Sequence, residues 1–182
     1  MPPETRAVWK RPKPTGREAF FGEDEIIVSK TDRNGIIRYA NQVFIHISGY
    51  SESELMGMPH SILRHPDMPR CVFKLLWDTI SDGREIFAYV KNMNKRGDHY
   101  WVHAHVTPTL DASGNILGYH SNRRVPNRSA VAKMDDLYRH LLKVEGSHSD
   151  WRRGMDAAGN ELMQTLKGLG VQYDEFIFSL EH

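Results

Sequence analysis

Three prolines punctuate the run Pro59-His60-Ser61-Ile62-Leu63-Arg64-His65-Pro66-Asp67-Met68-Pro69. Each fixes its own φ and restricts the residue before it. Two imidazoles, a guanidinium and a carboxylate are thereby held in a stiff turn between two apolar runs. Such a turn suits gripping a ligand or locking a loop better than building a core, and the flanking elements must fold around it.

Upstream, Ile26-Ile27-Val28 and Ile36-Ile37-Arg38-Tyr39 flank Asp32-Arg33-Asn34-Gly35, which predicts two short strands around a turn. Asn41 is placed to cap a helix carrying Val43, Phe44 and Ile47 at helical spacing. Ser51 and Glu54 form a capping box for a second short helix. Downstream, Val72, Leu75, Leu76, Thr79 and Ile80 make an apolar stripe that predicts a helix over about 69–80, with Pro69 in its first turn and Asp82-Gly83 past its end. Three strands follow, over 85–92, 99–109 and 115–123. Two strands, short helices, then three strands is an α+β order.

Alternation sorts the last three strands into two faces. The slim set is Ala88, Val90, Val102, Ala104 and Gly118, with Asn92, His120 and Asn122 on the same side. The bulky set is Phe87, Tyr89, Trp101 and Tyr119. The slim side leaves room for a flat guest between sheet and helices. The bulky side is too aromatic to stay in water, so the amino-terminal arm, the tail helices or a second copy must cover it.

Net charge is +1 with both signs interspersed, which argues against a nucleic-acid tract. Cys71 is the only cysteine. That excludes an intrachain disulfide or a CxxC site and fits a reducing, cytoplasmic compartment. No apolar run approaches the ~20 residues of a membrane span, so membrane insertion is not expected. His103 and His105 share a strand face but lack an evident third ligand, so no metal site is expected. No nucleophile with its base and no glycine-rich phosphate loop is present, so catalysis is not expected.

The tail reads as helical. Val131, Met134, Leu137, Tyr138, Leu141 and Leu142 share one face, and Trp151, Met155, Ala158, Leu162, Thr165 and Leu169 alternate by four and three like a coiled-coil seam. Gly154 and Gly159 weaken that seam. The organisation expected is an arm over 1–23, a domain over 24–125, a helical extension over 126–179, and a tag remnant at 180–182.

Asn41–Glu54 (NQVFIHISGYSESE), the proline-punctuated turn and Lys91–Pro108 (KNMNKRGDHYWVHAHVTP) together resemble the PAS sensor domain of the FAD-holding aerotaxis-receptor type. The resemblance covers roughly 24–125. It implies a PAS fold, a five-stranded antiparallel sheet with short helices on one face. It also implies a signal-transduction flavoprotein for aerotaxis or chemotaxis that senses redox or oxygen state. Asn92 corresponds to a flavin-contacting asparagine. Trp77 is placed to stack on the ring or its adenine, Arg64 and His65 to meet the diphosphate or ring edge, and Asp67 to orient either or cap the following helix. Asn41 is placed for its cap or for ligand contact. Two departures stand out. Met93 replaces an arginine usual after the asparagine, and His120 is placed inward, to bond the flavin or ligate a haem iron. The photoreactive Asn-Cys-Arg context is absent. The readings left open are FAD, no cofactor with a dimerisation or docking role, and haem b on His120 or His65. A homodimer and a receptor or signalling partner are expected.

Overall fold

The computed structural model describes residues 10–181. The first nine residues of the expected arm and His182 lie outside this range. Five strands form one antiparallel sheet in the order β2-β1-β5-β4-β3. They are β1 (Ile27–Asp32), β2 (Ile37–Ala40), β3 (Ile86–Met93), β4 (His99–Leu110) and β5 (Ile116–Arg124). Between β2 and β3 lie α1 (Gln42–Ser48), α2 (Glu52–Leu55), a 3₁₀ turn at His60–Leu63, and α3 (Arg70–Ser81). This is the expected α+β architecture.

Local chemistry explains the connections. Asp32 Oδ1 accepts from the amides of Asn34 (2.9 Å) and Ile36 (3.0 Å), closing the β1–β2 turn. Asn41 caps α1 by accepting from Phe44 N at 3.0 Å. Ser51 and Glu54 form their capping box at α2. The turn after the 3₁₀ segment lies along the free edge of β3. Arg64 forms an antiparallel bridge with Asn92, and Lys91 N donates to Met68 Sδ at 3.3 Å. The proline-rich run therefore blunts the sheet edge as well as carrying polar groups.

The sheet register corrects one expectation. In β3 and β4, Ala88 faces Ala104 and Val90 faces Val102, as the alternation requires. In β5, Tyr119, Ser121 and Arg123 fall on this inner side, opposite Pro108, Val106 and Ala104. Gly118, His120 and Asn122 point to the other face. Gly118 is small for a different reason: a Cβ there would collide with the Thr31 carbonyl of β1.

Beyond β5 come α4 (Arg128–Gly146), α5 (Trp151–Leu169) and α6 (Tyr173–Ser179). The chain's own tail covers the outer aromatic face. Tyr138 of α4 donates to the Tyr89 carbonyl at 2.7 Å and stacks near Trp101. Phe178 of α6 meets Phe87 at 4.8 Å between ring centroids. A second copy is not needed to cover this face. The arm adds to the cover: Ala19 N donates to His99 O at 2.7 Å, and Arg128 pairs with Glu18 at 2.6 Å.

The heptad seam read for α5 is also corrected. Its buried residues are Gly154, Ala158, Leu162 and Leu166, whereas Trp151, Thr165 and Leu169 are exposed. The helix packs as the second arm of a hairpin with α4. Gly154 sits at their close approach, where a Cβ would strike the Glu145 carbonyl oxygen. Leu180, expected to be tag sequence, is buried, and Glu181 pairs with His103 at 2.8 Å.

Candidate cofactor site

A cavity of about 520 Å³ opens between the inner sheet face and α3. That is within the usual range for small-molecule sites. Its apolar walls include Val90, Ala104 and Val106 from the sheet and Phe73, Leu76, Trp77 and Ile80 from α3. Trp77 meets Tyr119 edge-on at 5.5 Å. Short side chains at 90 and 104 leave the floor flat, and the indole forms an opposing wall.

Polar groups interrupt this apolar lining. Ser29, His60, Asn92, Ser121 and Arg123 all line the cavity. Arg123 is 2% exposed. Its Nη2 donates to Ser29 Oγ, its Nη1 lies 3.4 Å from His60 Nε2, and its guanidinium stacks over Phe44 at 4.7 Å. No carboxylate lies within ion-pair distance among the described residues, and Arg123 Nε has no hydrogen-bond partner. Burial lowers the Arg123 pKa to about 10, so the cation persists at neutral pH. A buried cation without a counter-charge is costly. It is the feature most in need of an electron-rich guest.

His60 is held neutral. Burial, then the charge of Arg123, push its pKa down to about 3. If Nε2 accepts from Arg123, the proton sits on Nδ1. No hydrogen bond engages the Asn92 carboxamide among the described residues, and it is 4% exposed. Its donor and acceptor are both available to a guest.

Of the residues singled out from sequence, Arg64, Trp77 and Asn92 line this cavity. Arg64 donates to the Met68 carbonyl at 3.2 Å and stacks over Phe73 at 4.4 Å. The other four do not line it. Asn41 is consumed as a clamp: besides capping α1 it accepts from Val28 N at 3.0 Å and donates to Ile26 O at 2.8 Å. His65 is buried, accepts from Asp67 N at 3.1 Å, and meets His99 edge-on. Asp67 does not cap α3. It pairs with Lys91 on the outer face at 2.9 Å, and the free amide of Cys71 is capped instead by Glu145 Oε1 at 2.9 Å. His120 faces away from the cavity and bonds Asn122 at 3.0 Å. Neither histidine considered for haem ligation is presented to the cavity.

Arg123 and His60 were not singled out from sequence. Arg123 follows Tyr119 and Ser121 on one strand face, so placing that face inward would have exposed it. A lone arginine among strand residues was the available signal.

On the outer face His103 and His105 bind separate carboxylates, Glu181 at 2.8 Å and Glu85 at 2.6 Å. Among the described residues no cluster of three or more His, Cys, Asp or Glu could hold a metal ion. Cys71 is buried and its thiol pushed up to about 12 by burial and Glu145, so it is inert filler.

Residues 37–123 match the family model described as the PAS fold. The chain is 38% identical over 130 residues to the aerotaxis receptor of Escherichia coli K12, covering 71% of this chain and 26% of that protein. This chain carries a PAS domain of the aerotaxis-receptor type. The nitrogen fixation regulatory protein of Klebsiella pneumoniae is 27% identical over 99 residues, covering 54% of this chain and 20% of the relative. The chain thus spans about a quarter or less of these relatives' length. The structure of an RNA-binding light-oxygen-voltage receptor superposes with a TM-score of 0.54 at 17% identity, covering 66% of this chain and 35% of that one. That likeness shows the shared fold. The PAS sheet here extends beyond the matched residues, since β1 pairs with both β2 and β5.

Proposed function

We propose that this PAS domain holds FAD noncovalently in the inner-face cavity and reports redox or oxygen state to a receptor or signalling partner, without turning over a substrate. The observation that carries the reading is Arg123, an uncompensated buried cation bonded to Ser29 and close to His60 in a cavity that Asn92 also lines. A planar heterocycle with an acceptor-rich edge matches both the apolar walls and the polar groups of that site. The E. coli relative, named for aerotaxis, supports the sensory part.

A bound flavin supplies a proton-coupled redox couple. The chain's own groups are arranged to read its edge. Arg123 can shift its donors between a guest and Ser29 or His60. Asn92 can rotate its amide to donate or accept. Output follows from strand alternation. Asn92 faces the cavity, and its neighbour Lys91 faces outward, paired with Asp67 at 2.9 Å and with Asp135 of α4 at 3.6 Å. The stiff turn joins the two faces, since Arg64 lines the cavity and Asp67 holds Lys91. Movement at the cavity edge therefore biases the packing of α4.

We place the module in the cytoplasm, where its free thiol stays reduced. No helix among the described residues is long and apolar enough to cross a membrane. Any contact between two copies would use a surface other than the covered aromatic face. An absorbance spectrum of the purified chain tests the reading. We expect the visible band of oxidised flavin, bleached by dithionite. A chain that shows no such band, even after FAD is supplied, rules it out.

A further inference from the structure

The cavity is not closed by the PAS elements alone. Trp151 and Met155, from the first turns of α5, form part of its wall. Asp150 caps that helix by accepting from Arg153 N at 2.9 Å, which fixes the Trp151 backbone. The indole is 52% exposed, and Trp77 across the opening is 37% exposed. The Arg152 guanidinium lies 5.1 Å over one side of the Trp151 ring, and the remaining exposed aromatic surface can take a flat partner.

Between them runs a cationic strip. Arg70 and Lys74 recur with Phe73 and Trp77 on the cavity face of α3, and Arg64 lies beside them. Arg70 is shared with Glu145 at 3.4 Å and Lys74 with Asp78 at 2.6 Å. Arg64 has no carboxylate within ion-pair distance among the described residues. Its pKa is lowered by burial and then by Arg70. The mouth thus combines a half-exposed indole with the cations Arg64, Arg70 and Lys74, the pairing that suits a base joined to phosphates.

Resting on the flavin reading, we infer that the start of α5 completes a subsite for the adenosine diphosphate half of the dinucleotide. Trp151 and Met155 take the adenine, and Arg64, Arg70 and Lys74 take the diphosphate. The helical extension thereby makes the chain selective for FAD over FMN and riboflavin. The α4–α5 hairpin is then part of the binding site as well as a receiver of its signal.

Equilibrium titration of FAD, FMN and riboflavin into the purified full chain tests this, with intact helicity checked by circular dichroism. FAD should bind at least about tenfold more tightly than FMN, and Trp151→Ala should weaken FAD by about tenfold while leaving FMN nearly unchanged. Trp151→Phe should restore most of the FAD affinity. Equal FAD and FMN affinities in the native chain, or an unchanged FAD-to-FMN ratio in Trp151→Ala and Met155→Ala, would overturn the subsite and leave the flavin reading standing. Binding of none of the three would overturn both.

Discussion

The two faces of the sheet solve opposite problems. The outer face is finished by the protein itself. Tyr89 and Trp101 are buried under α4 and α6, and His103 and His105 each hold a carboxylate. The inner face is unfinished. It has slim floor residues, a buried arginine without a counter-ion, and an asparagine side chain with no engagement among the described residues. Aromatic bulk marks the face that stabilises the fold, and missing partners mark the face that binds.

Variants on each face should separate the two roles. The largest effect belongs to Trp101→Ala, which empties a 5% exposed site under α4. It should lower unfolding free energy by about 3–5 kcal/mol in denaturant titrations, with flavin affinity of the folded fraction unchanged. A matching loss of affinity would show that the faces are not separable.

Acidification probes the histidines that burial keeps neutral. The folded pKa is about 3 for His60 and about 4 for His65, both below the unfolded value. The unfolded chain therefore binds more protons below about pH 6.5. Stability should be full above that pH and fall steadily as pH drops toward 4. The loss at pH 5 should be about 2 kcal/mol for His65, which is 3% exposed. His65→Asn keeps an acceptor for Asp67 N and cannot titrate, so its thermal midpoint should vary less over this range. Identical pH profiles would remove His65 from the explanation.

The smallest effect is expected at Tyr138→Phe, which deletes the hydroxyl bonded to the Tyr89 carbonyl. It should cost about 1 kcal/mol by chemical denaturation and leave binding intact.

These contrasts also explain what the sequence could reveal. Element order, turns and caps were legible because Asn41, Ser51 and the α3 stripe act locally. Arg64, Trp77 and Asn92 line the cavity. The face of β5 was not legible, because size alone assigned Gly118 to the slim side. Its smallness answers to the Thr31 backbone, a contact far away in the chain. With that face reversed, His120 looked inward and Arg123 went unnoticed. The polar residues of the turn were likewise divided in a way no local pattern specifies. Arg64 goes to the cavity and Asp67 to Lys91 across the edge strand. The α5 seam failed for a similar reason, since Gly154 serves a hairpin crossing that depends on Glu145.

The most direct measurement is a paired flavin titration of the native chain and Arg123→Met, with thermal midpoints of both ligand-free proteins. Removing an uncompensated buried charge should leave the free protein at least as stable. Losing its donors should weaken flavin by about a hundredfold, near 3 kcal/mol. If Arg123→Met binds flavin as tightly as the native chain while the free variant loses stability, the arginine belongs to the scaffold and is not the group that holds the flavin.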